Sequence, residues 1–281
     1  MNSVLTKTVA ATGLLLSVIA TQAGTGRSDW APSLKGKTYV IEKLSNGWRV
    51  MSPGKPYSIT RSEVARHSGG SSIRFELRGG EAWNAEVDPS FRSEISTDEY
   101  VAKNSVQWYG FSLLIPQDFP IETNRCVIGQ WHDKAKTQLG EPDKSPEIAQ
   151  RFSNGRFYVT ARHSTERIVS DPDAVPQEVL FETTHFPLGQ WNDFVYQIKW
   201  SYHRNGFVNA WLNGKQIINY HGPVGYDDDI GPVFNFGIYR DETDKTYVVY
   251  FDQYRRGNSF AEVDPSKQLD AIRRLRSKPR S

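Results

Sequence analysis

The sequence predicts an all-β sandwich of two antiparallel sheets, and three observations carry that prediction. Between residues 36 and 260, short runs rich in Tyr, Phe, Val, Trp and Ile alternate with polar residues. Clusters of Gly, Pro, Asn and Asp separate these runs. No solenoid repeat, heptad or glycine-rich phosphate loop interrupts the pattern.

The chain opens "MNSVLTKTVAATGLLLSVIATQAG", with an early Lys, an apolar run around Leu14 to Ala20 and small residues ending at Ala23. This predicts a secretory signal peptide over residues 1–23 rather than a membrane span, because the run is too short. The working protein is therefore expected to be secreted or periplasmic, with residues 24–281 forming a single domain that ends in a short basic tail. In "SSIRFELRGG", Ile73, Phe75 and Leu77 alternate with Arg74, Glu76 and Arg78, as a half-buried strand does. "SVQWYGFSLLIP", "RFYVTARH" and "WNDFVYQIKWSY" read as further strands. Asn205-Gly206 in "HRNGF" and Asn213-Gly214 in "WLNGK" predict two tight turns and hence a meander. "DPSKQLDAIRRLRSK" reads as a terminal helix, with Leu269, Ile272 and Leu275 spaced three apart. Residues 134–146 and 170–176, polar and rich in Pro and Asp, read as long loops bordering a groove.

Charge and cysteine content narrow the class. A net charge of +2 gives no global field for nucleic acid, and no membrane partner is expected. The single Cys126 has no internal disulfide partner and reads as a buried, inert thiol. A monomer is expected.

Three strands set polar residues against apolar ones. "FRSEIS" places Arg92, Glu94 and Ser96 opposite Phe91 and Ile95. "VIGQWHD" places Gln130 and His132 opposite Val127 and Trp131. "FNFGIYRD" places Asn235, Gly237 and Tyr239 opposite Phe234, Phe236 and Ile238. A plain wet sheet face favours Lys, Thr, Ser and Glu. This set instead orients a carboxylate and moves protons: Arg grips it bidentately, Gln and Asn hydrogen-bond it, His titrates near neutrality and Tyr can give or take a proton. β-Elimination of a uronic-acid polymer needs that combination, since removing the C5 proton beside a carboxylate requires the developing charge to be neutralised.

"FRSEI", "IGQWHD" and "FNFGIYRD", in that order and with "VYQIKWS" and "GFVNAWLNGK" before the last and "VVYFDQYRRG" after it, resemble the polysaccharide lyases of the heparin lyase I and glucuronan lyase group. The resemblance covers residues 36–265 and implies a concanavalin-like β-jelly roll with a concave substrate groove. It implies His132 as base or carboxylate-side partner, Tyr239 as the acid at O4, and Arg92 and Gln130 as carboxylate and orienting contacts. Heparin lyases carry a Lys four residues before the Tyr. This chain has Asn235 there, which points away from a sulfated substrate and toward a glucuronan-like polymer.

Glu94 is expected to hold Arg92, and Glu94, Asn235, His163 and Tyr247 are further expected substrate contacts. No cofactor is required. The acidic turn "YDDDIGP" could hold a structural calcium ion, although it lacks the spacing of a dedicated loop. The rival readings are a glycoside hydrolase of the same sandwich class, using Glu94, Asp98 or Glu99, and a non-catalytic carbohydrate-binding module. The first lacks the expected Glu-x-Asp-x-x-Glu run, and the second does not need His and Tyr beside Arg and Gln. The absence of Gly-x-Ser-x-Gly and His-Glu-x-x-His removes esterase and metalloprotease readings.

Overall fold

The computed structural model describes residues 48–63, 71–84, 86 and 89–267. The predicted leader and the helix expected around Leu269 to Leu275 lie outside the described residues. Strands are numbered in chain order. One seven-stranded sheet runs β1 (Arg49–Met51), β4 (Arg92–Ser96), β13 (Val233–Arg240), β6 (Cys126–His132), β7 (Ile148–Ser153), β8 (Arg156–Ala161) and β9 (Glu178–Thr183). The other runs β12 (Lys215–His221), β11 (Phe207–Leu212), β10 (Trp191–Lys199), β5 (Val106–Leu114), β14 (Tyr247–Gly257), β3 (Ser72–Leu77) and β2 (Ile59–Ser62). Neighbouring strands in both sheets pair antiparallel. The first sheet is the groove sheet, and the second is the back sheet.

Aromatic side chains weld the two inner faces. Trp131, fully buried on β6, lies 4.6 Å from Phe234 of β13 and 4.9 Å from Tyr196 of β10, ring centre to ring centre. Phe111 of β5 stacks on Phe234 at 5.1 Å, and Phe236 meets Phe251 of β14 at the same distance. Truncating a ring of this kind costs about 3–5 kcal/mol through lost burial and the cavity left behind. Among the described residues the one α-helix is α1 (Phe260–Val263), whose Phe260 covers Trp108 and Trp211 on the outer face of the back sheet.

The turns follow local chemistry, with one departure. Asn213 and Gly214 adopt φ of 51° and 78°, the pair of left-handed residues that a tight hairpin between β11 and β12 needs. Asn154 and Gly155 do the same between β7 and β8, with φ of 51° and 71°. Asn205 and Gly206 do not have positive φ. There the turn is closed by the Gly206 amide donating to the His203 carbonyl at 3.1 Å, while Asn205 Oδ1 accepts from the Ser201 hydroxyl at 2.7 Å.

The expected opposition of Val127 to Gln130 also fails. The register shift between Val127 and Gly129 against β7 marks Ile128 as an extra residue on β6, while against β13 the extra residue lies on β13, between Phe236 and Tyr239. Ile128 joins the core, a Cβ on Gly129 would meet Gln150 and Phe234, and Val127 is turned to the groove. One extra residue on the strand flips the alternation on its N-terminal side.

Gly237 makes the close approach of β13 to β4 possible. Its φ is 135°, and a Cβ there would lie 2.3 Å from the Ser93 carbonyl oxygen. Gly237→Ala is expected to lower stability by about 2 kcal/mol or more, read as an earlier urea midpoint at unchanged slope.

Candidate functional site

Cross-strand register assembles the site. In one row, Arg92 of β4 faces Tyr239 of β13, Tyr239 faces Val127 of β6, and Val127 faces Arg151 of β7. Beyond the intervening pair of Glu94 and Gly237, another row runs Ser96, Asn235, Gln130 and Ala149 across the same four strands. His132 sits one step further along β6, opposite Val233. The pleat sends these polar side chains to the face away from the aromatic core. Above them lies a cavity of about 340 Å³, walled by Arg92, Arg125, Gln130, His132, Arg151 and Tyr239. Residues 143–146 and Pro172 with Asp173 form its rim, so both long loops border it.

Glu94 organises the floor. It is fully buried, accepts a 2.8 Å hydrogen bond from Gln130 Nε2 and lies 3.6 Å from Arg92 Nη1. Burial pushes its carboxyl pKa up, against the Arg92 charge and the Gln130 hydrogen bond. The expected direct contact between Glu94 and substrate is therefore corrected. No part of the residue is exposed, and it acts by holding Gln130 and Arg92. Arg92 is fixed further by a 2.7 Å bond from its Nε to Ser90 Oγ and lies over the rings of Trp83 and Tyr239, at 5.4 and 4.0 Å.

Tyr239 has a second guanidinium against its ring. Arg125 Cζ stands 4.4 Å from the ring centre, and Arg125 is oriented by Asp241, which its Nε reaches at 2.9 Å. Burial works against the Arg125 cation, but a hydrogen bond and charge from Tyr239, followed by those of Asp241, hold its pKa above the usual value.

His132 has one ring nitrogen committed. Its Nδ1 lies 2.8 Å from the Asp133 carbonyl oxygen, an acceptor, which assigns the proton to Nδ1 and leaves Nε2 with a lone pair. The side chain keeps 26% of its surface exposed at the cavity wall. Burial, opposed by the Asp133 carbonyl and aided by Arg92, lowers its pKa from 6.5 and favours the neutral imidazole.

Behind His132, the loop wall is pinned by a buried ionic cluster. Lys144 Nζ, wholly buried, lies 2.7 Å from Asp133, 2.9 Å from Glu141 and 3.1 Å from Asp228. Lys136 also pairs with Asp228 and Glu141. The carboxylates of Asp133, Glu147 and Asp228 all lie within 4.8 Å of one another. With Glu141 they make four acids against two ammonium groups, so burial keeps Asp133 protonated up to about 7, with Asp228 adding to the effect. The acidic turn thus divides: Asp228 faces the lysines, Asp227 pairs with Lys103 and Asp229 with Arg167.

Other expected contacts lie elsewhere. Tyr247 is a correction: it faces the core from β14, its ring 4.9 Å from Phe119 and its hydroxyl donating to Glu122 at 2.7 Å. Tyr250, on the opposite face, accepts from Arg74 outside the back sheet. His163 is also corrected, because it lines a separate cavity of about 220 Å³ with Ser164, Glu166 and Asp171. Asn235 is on the groove face but nearly buried, with Oδ1 lacking a hydrogen-bond partner among the described residues. Cys126 is buried, and burial pushes its thiol up to about 12.

Sequence reasoning missed Arg125, Arg151 and Arg162, all of which reach the cavity. The signal was present for Arg151, a lone cation in the otherwise uncharged strand "IAQRFS", on the face opposite Ile148, Gln150 and Phe152.

No curated protein sequence matches the chain. Among solved structures, endo-β-1,4-glucuronan lyase from the fungus Trichoderma reesei superposes with a TM-score of 0.64 at 19% identity, over 83% of this chain and 96% of that one. Alginate lyase A1-II′, a member of polysaccharide lyase family 7, gives a TM-score of 0.54 at 11% identity, over 75% of this chain and 94% of its own. These likenesses show the jelly-roll fold. The polysaccharide lyase family pattern matches residues 35–255, which takes in both sheets and every wall of the cavity. The chain belongs to the polysaccharide lyase family.

Proposed function

We propose that this lyase cleaves a uronic-acid polymer of glucuronan type by β-elimination. The observation that carries the reading is the convergence of Arg92, Gln130, His132 and Tyr239, from three adjacent strands, on one cationic cavity. The likeness to a glucuronan lyase and the neutral Asn235 support a non-sulfated glucuronate chain.

In the proposed reaction, Arg92 and Gln130 bind the C6 carboxylate and stabilise the charge that develops as the C5–H bond breaks. The C4–O4 bond then breaks, a C4–C5 double bond forms, and O4 leaves with a proton. In glucuronate, H5 and O4 lie on one side of the ring, so Tyr239 can take the first proton and return one to O4. His132, with burial favouring its neutral form, contacts the carboxylate side. For a C5 epimer with H5 opposite O4, His132 would take the proton instead. Glu94 is not available as a hydrolase acid, because Gln130 and Arg92 already engage it. Residues 1–23 are proposed as a cleaved leader, which predicts a mature chain starting near Gly24 by mass spectrometry of secreted protein.

The direct test incubates purified protein with glucuronan, alginate, hyaluronan and heparin while following the ultraviolet absorbance of an unsaturated uronate. Glucuronan should give that signal. New reducing ends without it would overturn elimination. Tyr239→Phe should lower kcat by about 1,000-fold, with polymer affinity by calorimetry almost unchanged. An active Tyr239→Phe would remove the role given to Tyr239. His132→Ala should retain measurable turnover of glucuronan, whereas complete loss would make His132 the base. Because burial lowers the His132 pKa, the neutral imidazole is favoured. A His132-dependent fall in kcat/KM should therefore lie on the acid side of the ordinary imidazole range and be missing in His132→Ala.

A further inference from the structure

The cluster behind His132 cannot be fully ionised. Asp133, Glu141, Glu147 and Asp228 are buried, and so are Lys136 and Lys144. With every group charged, the acids would outnumber the ammonium groups by two in a place that water does not reach, which is costly. The cation at the centre is the chain's own, Lys144 Nζ, between Asp133, Glu141 and Asp228.

Placement decides which acids stay charged. Glu141 accepts from the amides of Lys136 at 2.8 Å and Val169 at 3.0 Å. Burial opposes its charge, but these donors and Lys144 hold its pKa down to about 2. Asp228 faces both ammonium groups, and against burial a hydrogen bond with Asp133 and the two lysines keep its carboxyl low. These two carboxylates match the two lysines.

Asp133 and Glu147 are the surplus. Both Asp133 carboxyl oxygens are buried with no donor beyond the Lys144 ion pair at 2.7 Å and the His132 ring at 3.5 Å. Among the described residues no lysine or arginine lies within 4.0 Å of the Glu147 carboxyl, which fills the space left by Gly225, where a Cβ would stand 2.5 Å from Oε2. The other groups facing the pair are His132, Arg162, whose amide donates to the Glu147 carbonyl at 2.9 Å, and Tyr100, Tyr109 and Tyr226, which burial keeps neutral. His132 leans on this cluster: the Asp133 carbonyl takes its Nδ1 proton at 2.8 Å, and Lys144 supplies a second backbone contact to the ring. A separate cavity of about 20 Å³, room for one water, touches Glu147 and Asp228 and shares no lining residue with the groove.

We infer that Asp133 and Glu147 are positioning residues that work as neutral carboxylic acids: Asp133 donates its proton to Asp228, and loss of the two protons releases the wall that orients His132. Ionised, Asp133 would repel Asp228 and Glu147 and draw its own carbonyl away from the ring. The small cavity admits the exchange from outside the groove. The inference rests on reading His132 as a groove residue of the elimination.

The test compares full-length wild type with Asp133→Asn and Glu147→Gln, each the shape of the neutral acid. Infrared spectra at pH 6 should show protonated-carboxyl carbonyl bands, one missing from each variant. The His132 ring signals in nitrogen-15 NMR should shift as pH rises past about 7 in wild type, and Asp133→Asn should abolish that step. On glucuronan, both variants should keep kcat/KM at pH 6 within about twofold and lose less of it than wild type at alkaline pH. Folding raises the Asp133 pKa, so its stabilisation is complete below the ordinary carboxyl pKa of 3.8 and is lost as pH rises to about 7. The melting temperature of Asp133→Asn should gain on that of wild type across that window. No band that either variant removes, or the same His132 titration in wild type and Asp133→Asn, would overturn the inference. Variant-dependent bands and ring shifts, with no unsaturated product from wild type, would instead refute β-elimination and leave the neutral acids standing.

Discussion

Trp131, Phe234 and Phe236 press one face of β6 and β13 against Tyr196, Phe111 and Phe251 of the back sheet, and this packing decides where the polar side chains of the groove point. Successive residues of a strand take opposite faces, so burying the rings forces Gln130, His132, Asn235 and Tyr239 outward together. The bulge at Ile128 is part of the same device. It keeps Trp131 inward and turns Val127 into the groove, giving the row an apolar gap between Tyr239 and Arg151. Moving the strand by one residue would bury the polar set and expose the rings, which the core does not allow.

Electrostatically, the groove separates its acids from its bases. Glu94 is buried beneath the floor and spends its oxygens on Gln130 and Arg92. Asp241 braces Arg125 from outside the cavity wall. The guanidinium groups are thus held in place while their outer faces remain available to an anion, an arrangement that binds carboxylates with little reorganisation. Tyr239 stands between two such groups, where any charge that develops on reacting oxygens is met by positive charge already in position.

The long loop after β6 would be free to move if only its own polar residues held it. Lys144 and Lys136 instead tie it to Asp228 on the opposite loop, and Asp133 links that cluster to the carbonyl that fixes the His132 ring. An ionic cluster of this kind is a weak source of net stability, because desolvation offsets much of the attraction. Its effect is geometric: it holds the wall beside His132 by tying Asp133, Lys136, Glu141 and Lys144 to Asp228.

Alternation, turn residues and the order of three short motifs were enough to reveal the sandwich and four groove residues, since each is a local property that the pleat converts directly into a face. Tyr247 misled because alternation tells which residues share a face and not which face is the core. His163 misled because the end of a strand can open into a neighbouring cavity. Arg125, Arg151 and Arg162 were silent for a related reason: an isolated arginine in a strand looks the same whether it meets solvent, an acid or a ligand. The sequence by itself determined the alternating pattern, the chemistry available to the groove and the Asn-Gly hairpin at 213–214. Only the tertiary structure decided that β4, β13 and β6 lie side by side, that Glu94 works from below, and that Arg151 joins their row, because strand order and register arise from pairing between segments far apart in the chain.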